Sequence, residues 1–147
     1  MKLLAMISLL ALSSNTFAAD YLLKMNYGSG FSPVKIGTEL IVSETGKVVK
    51  TKWYGNTKET KLIKTLSPNT IQAIKDDIST IRSNAKLIDL DANKPRCMDA
   101  PSKTYRLMKE DKEVVFALYS GCHKSFVKSK AAERLVQVID TLNEIEK

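Results

Sequence analysis

Two segments of this sequence place apolar residues at the same helical spacing. In each, four apolar residues lie at i, i+3, i+7 and i+10, which share one face of an α-helix. The stripes are Ile71, Ile74, Ile78 and Ile81 in the first segment and Leu135, Val138, Leu142 and Ile145 in the second. A helix with one apolar stripe must bury that stripe against another layer of structure. The two segments therefore predict two helices that pack on a common partner.

Both predicted helices have a start signal. Ser67 precedes Pro68, and this pair fits an N-cap followed by the first helical position. Ser129 is the predicted cap of a last helix over residues 130–144.

Alternating apolar and polar residues predict strands in the rest of the chain. On the third predicted strand, Val49 and Trp53 share one face, which we expect to be the core face, and Lys50 and Lys52 share the other. The order of strands, helix, hairpin and helix indicates an α+β fold. We predict an antiparallel sheet of about five to six strands with two helices on one face. The predicted strands lie at about 21–27, 34–43, 47–54, 61–65, 105–109 and 113–119.

The N-terminal residues have the layout of a signal peptide. Lys2 supplies a positive charge, an apolar run follows over residues 3–12, and small residues stand at 16 and 18. The run is shorter than the roughly 20 residues that a membrane span needs. We predict a signal peptide at residues 1–18, no transmembrane segment, and one exported domain over residues 19–147, either periplasmic or secreted.

The chain resembles a loose group of small exported bacterial domains of unknown function. The segments that carry the resemblance are the Gly turn "ETGKV", the Ser-Pro-capped helix "LSPNTIQAI" and the loop "CMDAP" before a second hairpin and a final helix. The resemblance covers most of residues 19–147. It implies a fold and an exported location, and it carries over neither an activity nor catalytic residues.

The two cysteines flank the second predicted hairpin. Cys97 and Cys122 both follow the predicted signal peptide, which favours an oxidising compartment and a disulfide between them. We predict that "DLDANKPRCMDAP", residues 89–101, is a structural strap held by this bond. Leu87, Ile88 and Leu90 are expected to anchor the strap on the core.

Metal, cofactor and catalytic sites find little support in the sequence. Asp89 and Asp91 match the first positions of a calcium loop, but Lys94 replaces the glycine and Ala100 the glutamate that such a loop requires. His123 is the only histidine, and two cysteines with one histidine are too few for a structural zinc site. We therefore predict no metal site, no cofactor and no enzymatic activity.

The positive charge is compatible with an ordinary solvated surface or with attraction to an anionic partner. The formal net charge is +7, and it becomes +6 once Lys2 leaves with the signal peptide. Only four of the 23 basic residues are arginines, whereas nucleic-acid readers favour arginine, so nucleic acid is not expected. The predicted binding face consists of Lys50, Lys52, Lys58, Lys61, Tyr27, Phe31 and Tyr54.

Two functions are favoured by these features, ahead of an uncharacterised enzyme, which would need a cleft that holds His123 with a carboxylate. The first is a non-catalytic exported binding module that contacts an anionic envelope polymer or an unknown protein. The alternative is a secreted inhibitor of a protease or lysozyme, since a rigid loop loses little entropy on binding. The candidate inhibitory loops are "YGSGFSP" and "NKPRCMDAP".

Overall fold

The computed structural model describes residues 21–30, 32–97 and 100–145. These residues form eight strands and two helices. The strands are β1 (Tyr21–Gly28), β2 (Ile36–Ser43), β3 (Lys47–Tyr54), β4 (Thr57–Thr65), β5 (Leu87–Asp89), β6 (Ser102–Lys109), β7 (Lys112–Ser120) and β8 (His123–Val127). The helices are α1 (Pro68–Thr80) and α2 (Lys130–Glu144). The predicted signal peptide, residues 1–18, lies outside the described residues.

All eight strands belong to one antiparallel sheet in the order β4-β3-β2-β1-β6-β7-β8-β5. The predicted class is confirmed, but the predicted number of five to six strands is wrong. The sequence prediction lacked β5 and β8. These short strands pair with each other although about 36 residues separate Leu87 from His123 along the chain, so their pairing depends on distant contacts.

The sheet has the same order of elements on both sides of its centre. From β1 outward lie β2 and β3, and from β6 outward lie β7 and β8. Each series of strands ends in a helix, α1 after β4 and α2 after β8. The antiparallel pair of β1 and β6 joins the two halves.

Serine caps begin both helices, as predicted. The Ser67 hydroxyl accepts a hydrogen bond from the Thr70 backbone N–H at 3.2 Å, and Pro68 is the first helical residue. The Ser129 hydroxyl accepts one from the Ala131 N–H at 3.2 Å. Each cap satisfies a backbone donor that the first turn leaves without an intrahelical partner.

The apolar stripe of α1 is confirmed more fully than that of α2. Ile74, Ile78 and Ile81 are buried, and Ile71 packs at the edge of the core. In α2 the stripe is wider than predicted, because Val136 and Ile139 are buried beside Leu135 and Leu142. Ile145, the last predicted member, lies just past the end of α2 and is 48 % exposed.

Both helices lie on one face of the sheet. On β6, Tyr105, Leu107 and Lys109 point to the same side, since side chains alternate along a strand. The Tyr105 hydroxyl donates to Asp140 of α2 at 2.9 Å. The Lys109 ammonium donates to the backbone carbonyl of Ser79 in α1 at 2.8 Å. This face, termed the helix face, therefore carries both helices and the single buried core.

The turn between β2 and β3 yields the first testable prediction. Gly46 has φ of +81°, and a Cβ atom there would lie 2.5 Å from Cδ1 of Ile71 and 3.1 Å from the Leu66 carbonyl oxygen. Gly46→Ala would force an alanine into the left-handed backbone region and would bring its Cβ too close to Ile71 of α1. We therefore expect this substitution to lower the free energy of unfolding by about 2–4 kcal/mol.

Gly55→Ala is the matched control for this prediction. Gly55 also has positive φ, but its Cβ would meet only Val34, at 3.6 Å. We expect a loss of about 1–2 kcal/mol, from backbone strain alone. Urea denaturation of both variants measures the difference, and equal losses would show that the turn does not press against α1.

Candidate functional site

The positive charge of this chain is concentrated in one hairpin at the edge of the sheet. Residues 47–65, which comprise β3, its turn and β4, are termed the lysine hairpin. They contain six lysines and one glutamate, a net charge of +5, whereas the whole chain carries +7. The rest of the sequence is therefore close to neutral, and the electrostatic field of the protein originates largely from this edge.

The outer strand of the lysine hairpin is exposed on both faces. Eight of the nine residues of β4 are exposed, and only Ile63 is half-buried. Among the described strands, β4 pairs with β3 alone. A partner can therefore reach β4 from either face and along its outer edge.

The predicted lysines occupy three different environments. Lys52 and Lys61 are exposed and lie on the helix face, where Lys61 stands opposite Lys50. Lys58 is exposed on the other face, directly opposite Trp53. Lys50 is only 6 % exposed. The structure therefore brings the lysines together along one hairpin but distributes them over both of its faces.

Lys50 connects the hairpin to the second helix. It pairs with Leu40, which is fully buried, and so points toward the core. Its ammonium donates a 2.7 Å hydrogen bond to the backbone carbonyl of Asn143, in the last turn of α2. A cation at a helix C-terminus is stabilised by the carbonyls that the helix leaves without partners. Lys50 thus holds the hairpin against α2 and does not belong to the exposed surface.

The expected core face of β3 is wrong, and the pairing register explains why. Val48 and Lys50 stand opposite Val42 and Leu40, both fully buried, so they face the helices. Trp53 lies on the face that no described helix covers and is half-buried there. Alternation alone leaves both assignments open, because either set of β3 residues can face a core.

Trp53 forms part of a groove at one end of the sheet. Its ring packs over Gly37, where a Cβ atom would lie 3.4 Å from the ring and 2.9 Å from the Tyr27 carbonyl oxygen. The groove has a volume of about 690 Å³ and is open to solvent. Its lining includes Asn26, Glu39 and residues 32–35, which precede β2.

The predicted aromatic residues do not form one patch. Tyr54 is 67 % exposed at the end of β3. Tyr27 lies on the helix face of β1 and packs against the core. Phe31 lies outside the described residues. Lys64, which the sequence prediction omitted, is exposed on β4, and a charge count over residues 47–65 would have found it.

A polar network crosses the uncovered face of the sheet and was missed by the sequence analysis. Arg106 pairs with Glu113 at 3.0 Å and donates to the Asn26 side-chain oxygen at 2.7 Å. The Asn26 amide in turn donates to Glu39 at 3.0 Å. The Tyr21 hydroxyl donates a hydrogen bond to the Glu113 carboxylate. Burial raises the pKa of Tyr21, and this hydrogen bond raises it further. These groups satisfy one another across four strands, which is the pattern of a structural network.

The predicted disulfide is confirmed. Cys97 and Cys122 are bonded, with Cα atoms 5.7 Å apart. The bond ties the strap to the turn between β7 and β8. Met98 and Asp99 of the strap lie outside the described residues.

The strap is anchored by polar contacts rather than by the expected apolar ones. Leu87 packs against the core, but Ile88 is 48 % and Leu90 65 % exposed. The expectation for Ile88 and Leu90 is wrong because β5 is an edge strand of three residues with little structure over it. Asp91 holds the strap instead, since its carboxylate accepts the Lys124 backbone N–H at 3.0 Å.

His123 lies between two acceptors of the strap. Its Nδ1 is 3.1 Å from the Asp89 carboxylate and its Nε2 is 3.3 Å from the Pro95 carbonyl oxygen. A hydrogen bond from the Asp91 backbone N–H holds the pKa of the Asp89 carboxyl below its usual range, and the contact with His123 lowers this pKa to a smaller extent. The Lys94 ammonium, followed by the Lys124 N–H, does the same for the pKa of Asp91. Both ring nitrogens of His123 therefore lie within hydrogen-bonding distance of the strap.

Within residues 21–30, 32–97 and 100–145, no three His, Cys, Asp or Glu side chains form a group that could hold a metal ion. No helix in that part of the chain is long and apolar enough to cross a membrane. No family model matches the chain, and a search of curated proteins finds no match.

The disulfide yields the second prediction. Cys97→Ser removes a bond that closes a loop with a sequence separation of 25 residues. We expect the free energy of unfolding to fall by about 2–4 kcal/mol. Reductant should lower the melting temperature of the wild-type protein and leave that of the variant unchanged. Two reactive thiols per chain in the unreduced, denatured protein would contradict the disulfide.

Proposed function

We propose that this chain is an exported, non-catalytic binding module that contacts an anionic partner through the lysine hairpin. The observation that carries the proposal is the location of the charge. A net charge of +5 out of +7 lies on one hairpin whose outer strand is exposed along almost its whole length. The partner is an envelope polymer or an acidic protein surface.

The electrostatics of the hairpin favour such a partner. Glu59 is the only acidic residue within residues 47–65, and it stands opposite Lys52. A cluster of like charges on an exposed hairpin repels itself, and an anionic partner relieves that repulsion as it binds. The same field accelerates association with an anionic surface at low ionic strength.

Two observations support export. Residues 1–18 have the layout of a signal peptide. The Cys97–Cys122 disulfide is typical of compartments that are oxidising.

A charge-reversal experiment tests the proposal. Lys52→Glu, Lys58→Glu and Lys64→Glu are combined in one variant, because all three lysines are exposed. Lys50 is left unchanged because it is buried. On vesicles rich in anionic lipid, each lysine near the surface contributes about 1 kcal/mol, so the variant should bind about 100-fold more weakly than the wild type. Cosedimentation over a salt series measures both affinity and salt dependence.

The matched control reverses three exposed lysines outside the hairpin. Lys75→Glu, Lys86→Glu and Lys112→Glu change the net charge by the same amount. This control should lose far less affinity than the hairpin variant. Vesicles of neutral lipid and an acidic polysaccharide separate lipid binding from polyanion binding. Equal losses in the two variants would refute the hairpin as the contact surface.

A hydrolase inhibitor is the second candidate function, and the strap favours it. Residues 92–97 are exposed, while Cys97 and Asp91 fix the two ends of this segment on the sheet. A loop held in this way loses little conformational entropy when it enters an enzyme cleft. Lys94 and Arg96 would then be the residues presented to the enzyme.

Inhibition assays test this second candidate. If it is correct, stoichiometric protein should inhibit at least one enzyme in a panel of proteases and lysozymes. Arg96→Ala should weaken inhibition by tenfold or more, about 1.4 kcal/mol, and reductant should weaken it as well. Lys112→Ala, distant from the strap in sequence, is the control. A panel without inhibition would exclude this function for the enzymes tested.

A further inference from the structure

The outer edge of β4 is long and exposed. β4 has nine residues and is the last strand of the sheet order on its side. The opposite edge differs, because β5 has three residues and its end continues into the disulfide strap. An antiparallel edge strand directs the backbone N–H and C=O of every second residue away from its neighbour. β4 thus presents a row of about four such pairs to an incoming strand.

The charges on β4 disfavour a second copy of this chain as the incoming strand. Lys58 stands opposite Trp53 on the uncovered face, whereas Lys64 stands opposite Val48 on the helix face. Two β4 edges in contact would therefore bring lysines together on both faces of the joined sheet. Lysines at an edge are a common means of preventing such association.

The same charges favour an acidic strand. Like charges opposite each other on adjacent strands destabilise a sheet, and opposite charges stabilise it. A strand with acidic side chains on both faces would neutralise Lys58 on one face and Lys64 on the other. Leu62 is 57 % exposed on the uncovered face and offers such a strand an apolar contact between the charged positions.

We propose that β4 binds an extended acidic segment of a protein partner as a ninth strand of the sheet. This inference rests on the proposed role of the lysine hairpin as the contact surface and specifies the partner. Only a polypeptide supplies the regularly spaced N–H and C=O groups that the edge of β4 can bind. Main-chain hydrogen bonds would give affinity, and the lysines would select acidic sequences.

A pair of N-methylated peptides tests the inference. The parent probe is a nine-residue peptide with Glu at every third position and Val or Thr elsewhere. Two derivatives carry N-methyl groups on alternate residues, one on the odd and one on the even positions. Each derivative lacks the N–H donors of one edge and keeps the charge of the parent.

Strand addition predicts that the two derivatives differ. The derivative that keeps its N–H donors toward β4 should bind with an affinity within about threefold of that of the parent peptide. The other derivative should bind at least tenfold more weakly than the parent peptide. Titration calorimetry measures the affinities. Hydrogen exchange should show new protection at alternate residues of β4 in the complex and none in β8. Lys58→Gln with Lys64→Gln should weaken the parent peptide at low salt, whereas Lys75→Gln with Lys112→Gln should not.

The other outcomes separate this inference from the proposed function. Equal binding of all three peptides would show that charge alone acts, which overturns strand addition and leaves the lysine hairpin as a polyanion surface. Binding of anionic vesicles without any peptide binding would have the same meaning. If the protein bound neither the anionic vesicles nor the peptides, both proposals would be overturned. A dimer in light scattering, with β4 amides protected in the absence of peptide, would assign the edge to a second copy and overturn the inference.

Discussion

The antiparallel pairing of β1 with β6 forms the centre of the sheet. It runs from Leu23 opposite Leu107 to Gly28 opposite Ser102 and joins two halves that each consist of successive strands and a helix. Leu23, Met25, Tyr105 and Leu107 are fully buried along this seam, on the face that carries both helices. The seam therefore supplies the centre of the core, and the outer strands extend from it in both directions.

The two edges of the sheet are protected by different physical means. At one edge, β5 is short, and the Cys97–Cys122 bond and the contacts of His123 and Asp91 hold a strap beside it. At the other edge, β4 is long and carries lysines on both faces. A strand of three residues offers few backbone groups to a partner at the first edge. Electrostatic repulsion at the second edge disfavours basic strands, so that edge remains open to an acidic partner.

Lys50 was expected on the binding surface, but it is buried and connects β3 to α2. Its stem passes over the core at the level of Leu40, and its ammonium reaches the carbonyl of Asn143 at the end of α2. The contact fixes the base of the lysine hairpin to the helix layer, while the part of the hairpin beyond it is exposed. A flexible hairpin would lose more entropy on binding than one held at its base.

Local patterns in the amino-acid sequence are enough to predict several elements of this fold. The serine caps at Ser67 and Ser129, most of the helical stripes and the hairpin turns follow from nearby residues, and the cysteine pairing follows from two cysteines that flank one hairpin. Long-range contacts determine which face of β3 is buried, because a period of two is satisfied by either face until the neighbouring strand sets the register. They also determine the pairing of β5 with β8, which joins residues distant in sequence. The charge of the lysine hairpin can be counted from the sequence. The position of the hairpin at an exposed edge depends on the order of strands in the sheet, which no local signal contains.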